Sequence, residues 1–204
     1  PEETGITFVK GEGFDTSSGS SHTLSGLASG DIVICLQAAD TSQDNEPALY
    51  TGFTNIKYFT VAELSVPCRW SYIFSTGSSI SFTGTDSEAV AMAAFRGVNQ
   101  TTPLDVSSTS NHSDGSASSK TPASITTVTD GCMILASIAI DDFDYTNATI
   151  PTGYTLAIAH HGGDDANAII TYKKQDSAGT ESPSAFSWSA NEDAATETIA
   201  LRPA

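Results

Sequence analysis

The chain predicts an all-β fold, an antiparallel β-sandwich of jelly-roll-like character built from two related halves, on three observations. Ser and Thr make up about a quarter of its 204 residues, strand-length apolar runs alternate with Gly, Ser, Asn and Asp clusters, and short segments recur about a hundred residues apart. Helical signals are nearly absent.

The apolar run 31–40 is too short for a comfortable helix and rich in β-branched residues, so it predicts a strand buried on both faces, with a later counterpart at 132–140. Further strands are expected at 7–9, 69–75, 79–83, 89–95, 154–159, 168–172, 185–189 and 196–202. The Ala-rich segment 89–95 has helix propensity, but period two puts Val90, Met92 and Ala94 on one face and Ala89, Ala91, Ala93 and Phe95 on the other. Gly11-Glu-Gly13 reads as a turn.

The recurring segments point to a duplication. Ser20-Ser-His-Thr23 matches Ser118-Ser-Lys-Thr121, Gly52-Phe-Thr matches Gly153-Tyr-Thr, and the strand ending in Arg96 matches the one ending in Arg202. The spacing drifts from 98 to 101 to 106, as loop lengthening after a duplication would produce. Residues 1–106 form the first repeat and 122–204 the second, joined by the Ser/Thr-rich stretch 107–121, which its polarity predicts to be a long surface loop. A copy whose strands are apolar on both faces needs another layer, so the halves are expected to pack as one body, two separate small domains being the alternative.

Composition narrows function. With 8 Lys+Arg against 24 Asp+Glu the formal charge is −16, which disfavours nucleic acid and anionic membranes as partners. The 39% hydrophobic content supplies a core. No apolar run reaches the ~18 residues needed to span a bilayer, and residues 1–10 show neither the basic start nor the apolar stretch of a signal peptide. Cys35, Cys68 and Cys132 lack metal or disulfide-framework spacing; Cys35 and Cys132 read as small core residues, with a bridge between them unsupported.

No catalytic, cofactor-binding or metal-ligating residue is assigned. The acidic clusters 40–46, 86–88, 141–144, 164–165 and 192–193 read as solvated turns. Two of the oxygen-rich segments, 40–46 and 141–147, follow equivalent strands and are weighed as Ca²⁺ loops, but neither has the EF-hand pattern. His160 and His161 are adjacent, which on an extended chain points them to opposite faces; Gly162 and Gly163 suggest a hairpin instead of a metal site. His22 and His112 stand in Ser-rich surroundings without a nearby acid or nucleophile at diagnostic spacing. No nucleophile elbow, P-loop or dinucleotide fingerprint is present. The triplets at Asn99, Asn111 and Asn147 are formal glycosylation sequons of the kind a Ser/Thr-rich chain generates by chance. Arg96 and Arg202 hold matching places as strand-end ion pairs with turn carboxylates, or as interface anchors.

The segment Ala93-Ala-Phe-Arg-Gly-Val-Asn99 followed by Pro103-Leu-Asp-Val106 resembles a segment of β-sandwich virion proteins of tailed bacteriophages. The Gly30-Asp31 approach to the first buried strand, Pro151-Thr-Gly-Tyr-Thr155, Phe186-Ser-Trp-Ser189 and Ile199-Ala-Leu-Arg-Pro203 resemble further pieces of the same pattern, whereas Pro47 stands five residues before Gly52 and departs from it. The resemblance implies a non-enzymatic virion structural protein: a capsid decoration, minor head or fibre protein, or a tail-associated one, binding neighbouring virion proteins. It implies a homo-oligomer, a trimer matching capsid three-fold positions. The competing reading is a carbohydrate-binding adhesin or receptor-binding module of a phage tail or bacterial surface, for which Trp70, Trp188, Tyr145 and Tyr154 are the candidate stacking platforms.

Overall fold

The computed structural model describes residues 5–39, 47–60, 62–85, 88–141, 148–162 and 166–204. Fourteen strands run β1(Thr7–Thr16), β2(Ser21–Ser25), β3(Ile32–Ala38), β4(Thr54–Phe59), β5(Cys68–Phe74), β6(Ser79–Thr83), β7(Glu88–Arg96), β8(Thr109–Lys120), β9(Ile125–Thr126), β10(Cys132–Asp141), β11(Thr155–His161), β12(Ala166–Gln175), β13(Thr180–Glu181) and β14(Phe186–Leu201). No helix occurs among the described residues.

Every strand pair is antiparallel, and the order of the strands repeats. The first sheet is β1-β7-β3-β5-β4; adding seven to each label gives β8-β14-β10-β12-β11, which is the second sheet read from its other end. The small sheet β2-β6 maps in the same way onto β9-β13. Even the irregularities match, since the register shift in β4 between Asn55 and Lys57 recurs in β11 between Leu156 and Ile158. The fold is therefore an antiparallel β-sandwich built from two related halves.

The five-stranded sheets face each other. Between them lies one core holding Ile32, Ile34 and Leu36 of β3, Ala91, Ala93 and Phe95 of β7, Leu135 of β10, Ile170 of β12 and Ile199 of β14. Alternate residues of the same strands point outward into two further cores. Val33, Cys35, Val90 and Met92 pack under the β2-β6 sheet with Tyr50 and Phe82, whereas Ile134, Ile138 and Ala200 pack with Phe186 and Trp188. This is why β3 and β10 read as unbroken apolar runs: both faces are covered. It is also why the Ala-rich β7 is a strand, because its two faces enter two different cores.

Three readings change. The stretch 107–121 is largely β8, an edge strand paired with β14, and not a loop. Gly11 and Gly13 lie within β1, not in a turn. The expected strands 185–189 and 196–202, with the presumed acidic turn between them, form the single strand β14, its ladder to β8 shifting register on either side of Glu192.

The two halves are also stitched by their connection. Residues 97–105 run alongside the end of β14: the Asn99 amide donates to Arg202 O, the Arg202 amide to Pro103 O and the Asp105 amide to Ala200 O, at 2.8–2.9 Å.

Candidate functional site

The two arginines of the repeat are strand-end ion pairs. Arg96 grips Asp31 through two hydrogen bonds of 2.8 Å, and Asp31 Oδ2 also accepts the Ala28 amide at 2.7 Å. Burial works against the Asp31 charge, yet Arg96 and the Ala28 amide hold its carboxyl below the ordinary carboxylate value. In the second half Arg202 bonds Asp105 at 3.1 Å, and Asp105 Oδ2 accepts the Val128 and Thr129 amides. Burial again opposes ionisation, and the bonds from Thr129, Val128 and Arg202 outweigh it. The carboxylate has moved between the copies. Ile32 pairs with Phe95 as Met133 pairs with Leu201, so the counterpart of Asp31 is Cys132, and Asp105 reaches the same place from the inter-half connection.

The remaining candidates disperse. His160 Nε2 lies 2.9 Å from Asp15 Oδ1 and His161 Nδ1 lies 3.0 Å from Asn167 Oδ1, so the adjacent rings face different partners, and both sit in β11, beside the expected hairpin to β12. His22 stacks on Phe82 and His112 packs on Phe59. Asn99 Oδ1 accepts the Thr101 and Thr102 amides. None of the three cysteines is in a disulfide. Residues 40–46 and 142–147, with Tyr145, lie outside the described residues, and no metal-ligating group of three His, Cys, Asp or Glu occurs among the rest. Trp70, Trp188 and Tyr154, the other sugar-stacking candidates, are buried.

The register shows a convergence that the sequence reading missed. The halves meet closely along one seam and more loosely along a second, built from the equivalent strands. In the first, β1 and β7 face β11 and β12. A side chain at Gly11 would overlap the Ala157 carbonyl and one at Gly13 the His160 ring, so β1 lies directly against β11, backbone to backbone at Gly11. Ala91, paired with Gly13 and Leu36, lies in this half of the central core, as do Ile158 and Ala168.

In the second seam β8 and β14 face β4 and β5, and ionisable groups replace small apolar ones. Glu197 pairs with Ser110 and Ser137, which makes it the counterpart of Ala91. Lys57 is the counterpart of Ile158, Phe59 of His160, Cys68 of Ala168 and Trp70 of Ile170. The paired contacts agree: where His160 meets Asp15 across the first seam, Phe59 meets His112 across the second, ring centroids 4.8 Å apart.

Glu197 is 1% exposed. Burial pushes its carboxyl up to about 7, against the opposing pull of the Ser108 hydroxyl and Lys57, and its Oε2 finds no hydrogen-bond partner among the described residues. Burial, then the Glu197 and Glu63 carboxylates, raise the Cys68 thiol well above its ordinary value. Trp70 Nε1 donates to Ser137 Oγ at 2.7 Å, and Ser137 Oγ donates to the Glu197 carbonyl at 3.0 Å. Outside this seam a groove of about 270 Å³ follows β4, lined by Asn55, Lys57, Thr60 and Glu63 among others. Comparison of the chain with known protein families, characterised proteins and solved structures finds no match.

Proposed function

We propose that the chain is a non-enzymatic structural protein of a bacteriophage particle, a capsid decoration, minor head or fibre protein that binds neighbouring virion proteins as a homo-oligomer. The observation that carries this reading is the use made of the residues on which the virion resemblance rests. Arg96 and Asp105 face ion-pair partners at strand ends, Asn99 closes a turn, and Gly97, at φ 83°, brings the chain against Gly5. These residues bind the body together, a structural use that suits a component of a particle. A charge of −16 favours solubility and keeps such a body off packaged DNA.

The test is co-sedimentation of the purified protein with heads assembled from the major capsid protein of the same genome. Saturable binding at a fixed ratio to capsomers is expected. Protein that stays in the supernatant with heads and with tails overturns the reading.

A further inference from the structure

The two seams are built from equivalent strands but differ in chemistry and in how closely the sheets approach. At the first, Gly11, Gly13 and Ala91 bring the sheets together, and its ionisable pair, His160 with the largely exposed Asp15, is not buried. At the second, a carboxyl replaces Ala91 and an ammonium replaces Ile158, so water and charge compete with apolar contact where the scaffold would otherwise close. Glu197 belongs to β14, yet its electrostatic neighbours, Lys57 and Cys68, belong to the other half. The groups facing the seam are Lys57 on β4, Glu63 on the β4–β5 connection, Cys68 on β5 and His112 on β8. Lys57 and Glu63 also line the groove outside.

We propose that the β4/β8 seam is a proton-operated latch: neutral Glu197 holds the two halves together there, and its ionisation lets the seam open about the shut β1/β11 seam. Neutral Glu197 needs no counterion in its buried place. Ionised, it carries a buried charge with one unbonded oxygen, and opening gives that oxygen water and the nearby Lys57 ammonium. Cys68, fully buried beside Glu197, is uncovered by the same movement.

Opening is linked to proton release. Its equilibrium constant rises by up to tenfold per pH unit between the ordinary carboxyl value of 4.5 and the folded value of about 7, then levels off. The whole rise between pH 5 and pH 8 is about seventyfold.

Maleimide labelling of the intact protein, resolved by peptide mass, reads this directly. Cys35, buried in the outer core under β2-β6, serves as the internal reference for global unfolding. The Cys68 labelling rate, divided by that of a free-thiol peptide at the same pH, is expected to exceed the Cys35 rate by at least about tenfold throughout and to rise by roughly seventyfold from pH 5 to pH 8 in the native chain. In Glu197→Gln, and in Glu197→Ala, which installs the residue of the shut seam, it is expected to change by less than about threefold. Lys57→Met, which leaves the carboxyl in place, is expected to move the plateau to higher pH. A normalised Cys68 rate that does not change with pH, or that equals the Cys35 rate, overturns the latch, since in the second case Cys68 is exposed only by global unfolding. A rise of native size in either Glu197 variant, or an unmoved plateau in Lys57→Met, overturns it equally.

Discussion

At the scale of single residues, the relocated carboxylate is the clearest case of one physical need met by two sequences. A strand-end guanidinium and the turn amides before a buried strand both call for an acceptor. The first half supplies it at Asp31, the second at Asp105. Asp105→Ala orphans the Val128 and Thr129 amides and takes the carboxylate from the Arg202 guanidinium, which keeps Thr102 Oγ1 and the residue-105 carbonyl, and is expected to destabilise by about 2–4 kcal/mol in urea unfolding. Adding Cys132→Asp to that variant restores the arrangement of the first half and is expected to return at least half of the loss. Cys132→Asp alone places a second carboxylate beside Asp105 and is expected to destabilise. A double variant no more stable than Asp105→Ala excludes the equivalence of the two positions.

At the scale of elements, the glycines of β1 set how closely the sheets approach. Gly11→Ala puts a methyl into the Ala157 carbonyl, so calorimetry is expected to show a loss of about 1–3 kcal/mol from overpacking. The same change at Gly19, which has open space around it but a φ of 79°, tests backbone strain alone. Elements that bury apolar residues on both faces, β3, β7 and β10, were legible, as was β6 with its strict alternation of buried and exposed residues: all four fall within a residue or two of expectation, because periodicity and composition report burial. Strands held by backbone pairing alone were not. β8 is richest in Ser, with Thr, Asn, His, Asp, Gly, Ala and Lys and no apolar alternation, and its ladder to β14 makes it a strand. Gly11 and Gly13 were read as a turn because sequence does not show which backbone crosses above them. The second seam was legible in part. Laying the strand of Arg202 over that of Arg96 sets Glu197 against Ala91, an acid at an inward position of an Ala-rich strand. Lys57 could not be placed opposite it without the sheet order.

For the molecule as a whole, the buried carboxyls work in opposite directions. Glu197 has a folded value of about 7 against 4.5 unfolded, so its stabilising effect is complete below pH 4.5 and declines as pH rises to 7, by roughly 3 kcal/mol. Asp31 and Asp105 are held below 3.8, so their contribution is present above that value and is lost as pH falls through their lowered ones. Stability is therefore expected to peak between about pH 4 and pH 5. A Tm measured across pH 3–9 checks this, with Glu197→Gln melting several degrees above the native chain at pH 8 and losing the decline. A maximum near pH 7 contradicts the burial of Glu197.

The pairing of β1 with β7, and of β8 with β14, sets the order in which a newly made chain can settle. Thr7 waits for Arg96, and Thr109 for Thr198, so most of each half must leave the ribosome before its edge strand finds a neighbour. Until then β3, apolar on both sides, is exposed to solvent with neither flanking layer in place. The surplus of carboxylates then has an early task, holding nascent copies apart while the sheets are still unfinished.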